Sequence, residues 1–152
     1  MKTSEVDKSK RIIALDIEGT LISNAISIFP RPGLNTFLEF LDASFSRIVV
    51  MTALEDRIFR KIAKILSDEG TTPLWFNDLE YCSWKGQFDL KYKDLRCIPD
   101  SNIQNVLIID DMEEYIHPDQ KQCWIQIRPF NTPYFENDRE LFRLIQILSN
   151  IK

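Results

Sequence analysis

Histidine is almost absent from this chain; His117 is the only one. Mechanisms built on a His pair, a His-rich metal site or a Ser–His–Asp triad therefore have little material. Cysteine is scarce too. Cys82, Cys97 and Cys123 are odd in number, widely spaced and form no C-x-x-C pair. That argues against structural zinc and a disulfide framework, and reduced thiols in a cytoplasmic protein are expected. No apolar run approaches the roughly 20 residues a bilayer demands, and no secretory signal precedes the first apolar segment, so no membrane partner is expected. Positive charge is not in excess either. The net charge of −4 speaks weakly against a general nucleic-acid binder.

What remains is ordinary globular composition. At 152 residues with 44% apolar content, the chain is long enough for one domain with a real core, expected over residues 11–152. Met1 to Lys10 is polar apart from Val6 and reads as a flexible tail. Its organising stretch is Ile12 to Leu21, I-I-A-L-D-I-E-G-T-L. Four apolar residues without alternation suit a strand buried on both faces at the centre of a parallel sheet. Gly19 and Thr20 follow too soon for a buried helix. Asp16 would then end the strand, where α/β sheets bind ligands. Alone, it reads equally well as a turn residue, so the downstream chain has to decide.

Pro32-Gly33 opens a helix with Leu34, Phe37, Leu38 and Leu41 at helical spacing. Arg47 to Thr52 reads as a second buried strand. A second helix follows, its apolar face marked by Ile58, Ile62, Ile65 and Leu66. Its basic stripe (Arg57, Arg60, Lys61, Lys64) is expected to be a solvated face rather than a docking site. From Thr72 to Tyr92 the pattern changes to Trp75, Phe76, Tyr81, Cys82, Trp84, a Lys85-Gly86 turn, then Phe88, Leu90 and Tyr92. This predicts a small β insert with a hairpin, its aromatics packed beneath. Val106 to Ile109 is a third buried strand, and Cys123 to Ile127 a last one. Leu141, Leu144, Ile145 and Leu148 mark a C-terminal helix. Alternating strands and helices predict an α/β three-layer sandwich around a doubly wound, mostly parallel sheet. There is no internal repeat.

Three predicted strands end in polar residues: Asp16, Thr52 and Asp110-Asp111. In a parallel sheet these ends converge, bringing up to four carboxylates together with Glu18. Such a cluster needs a cation, and hard oxygen ligands without His or Cys indicate Mg²⁺. A phosphate dianion would also need a fixed positive charge, for which Lys91 and Lys93 are the candidates. The Thr52 hydroxyl and the N–H groups of Ala53 and Leu54 would cradle phosphate oxygens. The chemistry assembled is phosphoryl transfer to a carboxylate through an aspartyl-phosphate.

In order and spacing, D-I-E-G-T-L, V-V-M-T-A, a lysine and I-I-D-D resemble the four motifs of the haloacid dehalogenase superfamily. The closer resemblance is to the small phosphatases of the phosphorylated RNA polymerase II tail, through R-P-G-L-N-T-F-L-E-F-L, M-T-A and Lys93-Asp94-Leu95. It spans nearly the whole chain from Arg11. It implies a superfamily-type Rossmann-like fold, with Asp16 as nucleophile and metal ligand. It also implies a position-18 residue giving a backbone carbonyl to Mg²⁺ and acting as general acid/base. Thr52 would bind the phosphoryl group, Lys93 would balance its charge, and Asp110 with Asp111 would complete the metal site, Asp111 being the expected direct ligand.

Two departures stand out. Glu18 replaces the family's second Asp, although the enolase-phosphatases also carry D-I-E-G-T. Met112-Glu113-Glu114 replaces the serine-proline that follows the double acid. The segments Leu21 to Pro32 and Thr72 to Tyr92 are too short for a cap domain. An open cleft and a phosphoprotein substrate are therefore expected. The competing readings are a silent phosphatase-like domain that binds a protein partner, and a phosphatase for a small metabolite or nucleic-acid end.

Overall fold

The computed structural model describes residues 11–88 and 91–151. The expected tail, Met1 to Lys10, and Leu90 of the expected hairpin lie outside the described residues. Five strands form one parallel sheet in the order β3-β2-β1-β4-β5. They are β1 (Ile12–Leu15), β2 (Arg47–Val50), β3 (Glu80–Tyr81), β4 (Val106–Asp110) and β5 (Trp124–Gln126). The helices are α1 (Leu34–Ser44), α2 (Asp56–Asp68) and α3 (Glu140–Ser149).

β1 lies at the centre, and its side chains divide between two cores. Ile13 and Leu15 join the residues of all three helices. Ile12 and Ala14 face a second cluster that includes Cys82, Trp84, Leu95, Cys97, Ile98, Ile116 and Cys123. A strand covered on both sides must be apolar at every position, which explains the unbroken run. Among the described residues no α-helix covers the second face. The chain there forms 3₁₀ turns at Leu95–Cys97, Ile103–Asn105, Glu113–Tyr115 and Pro118–Cys123. The three cysteines are unpaired and buried in this layer.

Register places the strand ends side by side, because Leu15 pairs with both Val50 and Ile109. Chain order reverses between β1 and β4, since α1 leads from β1 to β2 while the long segment after β3 returns across the sheet to β4. A reversal of this kind leaves a crevice at the carboxyl ends of the strands.

α1 follows Gly33, whose φ of +84° is costly for other residues, and a Cβ there would lie 2.6 Å from the Phe142 ring of α3. The expected face of α1 is buried as predicted. In α2 the buried residues are Phe59, Ile62, Ala63 and Leu66, whereas Ile65 is 42% exposed. Phe59 shifts the face by meeting Phe76 edge-on, with ring centroids 5.5 Å apart. Along the basic stripe, Arg57 pairs with Glu55, Arg60 with Asp56 and Lys64 with Asp68, a solvated face as expected.

The expected hairpin does not form among the described residues. Leu74–Asp78 is a 3₁₀ helix on α2, and Glu80–Tyr81 joins the main sheet beside β2. Phe76 and Trp84 are buried as packing residues, while Phe88 is exposed. No helix among the described residues is long and apolar enough to cross a membrane.

Candidate active site

The crevice at the end of β1 holds the expected acids. Asp16 follows the strand directly and is anchored by its own N–H, which donates to the Ile109 carbonyl at 3.0 Å. Its carboxylate is buried and held from two sides. Thr20 Oγ1 donates to Oδ2 at 2.9 Å, and Lys93 Nζ donates to Oδ1 at 3.0 Å. Lys93 also donates to Asp110 Oδ2, while the other oxygen of Asp110 accepts the Met112 N–H at 2.9 Å. The lysine comes from the irregular layer, where its N–H donates to the Tyr115 carbonyl at 2.8 Å and its ammonium lies 5.2 Å from the centroid of the Tyr115 ring. Lys91 is exposed beside Tyr92 and does not line the cleft, whereas Lys93 reaches Asp16 and Asp110.

Asp111 completes the group, its Oδ1 lying 3.2 Å from the Thr20 hydroxyl. Gly19 makes room for it, since a Cβ there would stand 2.5 Å from Asp111 Oδ2. Oxygens of Asp16, Asp110 and Asp111 fall within 4.8 Å of one another. Three carboxylates against one ammonium leave excess negative charge, and the proton affinities record it. Burial first, then the charge of Asp16, raises Asp110 to about 6 against the opposing pull of Lys93. Asp111 is pushed up to about 7 by burial, by its hydrogen bond with Asp16 and by the neighbouring charges. Burial works to lower the Lys93 pKa, but Asp16 and Asp110 outweigh it and keep the ammonium charged. An all-oxygen donor set with surplus charge fits Mg²⁺ and not a softer metal.

Glu18 stands apart. Its carboxylate accepts the Ala25 N–H of the following segment, Leu21 to Pro32, which forms a flap beside the cleft, at 2.9 Å, and it is not one of the three clustered acids. Thr52 is buried beside the cleft, with its carbonyl accepting the indole N–H of Trp84 at 2.9 Å. Its hydroxyl accepts the Leu54 N–H at 3.2 Å, and α2 begins only at Asp56. The expected cradle of helix N-terminal amides is therefore reduced to the exposed turn at Ala53, because the Leu54 amide is already engaged. Asp16, Glu18, Thr52, Ala53, Lys93 and Asp111 share one cleft of about 460 Å³ that opens to solvent. Ser23 and Asn24 of the flap, Tyr115, and Pro129 to Asn131 after β5 supply its walls.

Sequence reasoning missed Thr20, Tyr115, Trp84 and Arg31. Thr20 had a signal, as it lies in the loop already singled out. Arg31 opens the R-P-G-L stretch, but nothing in its spacing says that the side chain is fully buried and paired with Asp138.

Comparison with known proteins gives the family and the fold. The profile of the NLI interacting factor-like phosphatases matches residues 2–152. An uncharacterised FCP1 homology domain-containing protein of Schizosaccharomyces pombe is 24% identical over 139 residues, covering 82% of this chain and 52% of that protein. The chain thus spans about half the length of that relative. Among solved structures, an arginine-to-alanine variant of the fission yeast RNA polymerase II CTD phosphatase Fcp1, bound to beryllium fluoride, superposes with a TM-score of 0.66. The match has 14% identity over 94% of this chain and 62% of that one. Its likeness is one of fold. With the profile covering nearly every residue, this chain belongs to the NLI interacting factor-like phosphatase family.

Proposed function

We propose that this chain is a Mg²⁺-dependent phosphatase that hydrolyses a phosphomonoester, on a protein substrate, through an aspartyl-phosphate on Asp16. The observation that carries this is the buried Asp16 carboxylate, oriented by Thr20 and Lys93 beside Asp110 and Asp111 in an open cleft. An Asp16 oxygen attacks phosphorus as the ester P–O bond breaks, and Glu18 gives the departing oxygen its proton. Glu18 then takes a proton from the water that attacks the phosphoaspartate, releasing phosphate and restoring Asp16. Lys93 and the Thr52 hydroxyl balance and hold the phosphoryl oxygens. Asp16, Asp110 and Asp111, with the Glu18 backbone carbonyl, would hold Mg²⁺, which neutralises charge on the transferring group.

For this cycle the Glu18 carboxylate must leave the Ala25 N–H and turn toward Asp16. Its engagement there is the one observation that favours a silent, partner-binding domain as the second reading. An uncapped cleft supports a macromolecular substrate, and the likeness in fold to the RNA polymerase II CTD phosphatase Fcp1 makes phosphopeptides of that tail the first choice to test. The buried, unpaired cysteines fit a reducing compartment such as the cytoplasm. Hydrolysis of an aryl phosphate with and without Mg²⁺, in wild type and Asp16→Asn, tests the mechanism. Turnover that needs both the metal and Asp16 is expected, and an Asp16→Asn variant with most of its activity would overturn it. Phosphopeptides, sugar phosphates, nucleotides and phosphorylated DNA ends assayed side by side would then separate the substrate classes.

A further inference from the structure

Arg31 has a fully buried side chain, yet it is far too polar to be there for packing. Its Nε and one terminal nitrogen donate to the two oxygens of Asp138 at 2.9 and 3.0 Å, a forked ion pair. The remaining nitrogen, Nη1, lies 3.3 Å from the Gly19 carbonyl and 3.2 Å from that of Thr20. These are successive carbonyls of the loop that carries the nucleophile.

The loop satisfies its own donors locally: Gly19 N–H bonds to the Ile22 carbonyl, and Thr20 and Leu21 N–H both bond to that of Ile17. Its carbonyls are held from outside, Gly19 by Arg31 and the Phe130 N–H (2.8 Å), Thr20 by Arg31. Buried carbonyls need such partners, but an apolar core with water could serve stability alone. What the arginine adds is orientation. Thr20, gripped at its carbonyl, donates its hydroxyl to Asp16 Oδ2 at 2.9 Å.

We propose that Arg31 and Asp138 are positioning residues: the pair fixes the Thr20 peptide, and the Thr20 hydroxyl in turn aims the Asp16 carboxylate. This rests on the reading of Asp16 as nucleophile and Mg²⁺ ligand. Neither Arg31 nor Asp138 lines the cleft, so both act through Thr20 and neither touches substrate.

The test is a double-mutant cycle between Asp138→Asn and Thr20→Val, with Thr20→Ser as the conservative control. Asp138→Asn is chosen over a change at Arg31 because Asn keeps the shape and an oxygen for the Glu140 N–H. Because it leaves the buried Arg31 short of its counter-charge, Tm is read on every variant to show that it is folded. Two further quantities are read on each full-length variant: kcat and KM for an aryl phosphate, and Mg²⁺ affinity by calorimetry without substrate. Asp138→Asn should lower kcat about tenfold with KM within about twofold, the scale of a misaimed reacting group. Thr20→Ser should stay near wild type. In the double variant, kcat and Mg²⁺ affinity should fall no further than in Thr20→Val alone.

Additive losses would mean that the pair does not act through Thr20 and would overturn the proposal. So would a lower Tm with kcat and Mg²⁺ affinity unchanged, the mark of a merely structural clamp. If wild type binds Mg²⁺ but hydrolyses no ester, the phosphatase reading fails while the cycle in Mg²⁺ affinity still decides the positioning role. A wild type that does neither overturns both.

Discussion

The two faces of the sheet are built differently and do different work. One carries α1, α2 and α3 over a core of aliphatic residues and phenylalanines. The other is covered by 3₁₀ turns and irregular chain, with Trp84 and three buried cysteines among its packing residues. Yet it is this irregular face that delivers Lys93 to the acids, Tyr115 to Lys93, and the Trp84 indole to the Thr52 carbonyl. A helix presents one stripe to the sheet along its whole length. An irregular segment can send individual side chains over the sheet edge into the crevice, provided each buried backbone group finds a partner. The contrast implies that the helical face sets stability and the irregular face sets the site.

Lys93→Met gives the largest effect expected of that division. Removing the ammonium that bridges Asp16 and Asp110 should lower kcat by about 10²–10³-fold, as loss of a charged group at a transition state does. It should also destabilise the metal-free protein by about 3–5 kcal/mol, because Asp16 and Asp110 lose their buried partner. Steady-state kinetics and denaturant unfolding with and without Mg²⁺ measure both, and an active Lys93→Met would break the comparison at its centre.

Phe37→Ala, on the helical face, should cost about 3–5 kcal/mol while leaving kcat unchanged in the folded fraction. Its counterpart, Trp84→Phe, removes the N–H that holds the Thr52 carbonyl and should cost only about 1 kcal/mol, yet lower kcat several-fold. If the two variants exchanged these profiles, the division of labour would be wrong.

The pH dependence sharpens the same point at the seam. Asp110 and Asp111 titrate at about 6 and 7 in the folded protein against 3.8 ordinarily. The metal-free folded state therefore keeps protons that the unfolded chain has lost. Their stabilising contribution is complete below about pH 3.8 and disappears as pH rises through those folded values. Mg²⁺ prefers the ionised acids, so the gain in Tm on adding Mg²⁺ should increase over that window. Thermal melts in Mg²⁺ and in EDTA would show it, and a pH-independent gain would count against the acid cluster as the metal site. The smallest effect is expected from Lys64→Ala, which removes an exposed pair with Asp68 on α2. Stability should change by less than about 0.5 kcal/mol and kcat should not move.

The central strand, the helices and the converging ends Asp16, Thr52 and Asp110-Asp111 were legible because each rests on local periodicity or on an unbroken apolar run. α2 was read with its face turned, since Ile65 looks like a core residue until Phe76 claims Phe59. The hairpin expected from Trp75 to Tyr92 came from β-favouring aromatics, but those side chains were needed beneath the second face and beside α2, and tertiary packing overrode propensity. Sequence by itself determined the family, the parallel sheet and the meeting of the strand-end acids Asp16, Asp110 and Asp111, because a strand's register and direction carry its end residue with it. Only the tertiary structure decided that Glu18 rests on the flap, that the Leu54 amide is engaged, and that a buried Arg31 grips the loop that follows Asp16. Each of those depends on a partner distant in the fold or on the direction of one side chain, and neither is written in spacing along the chain.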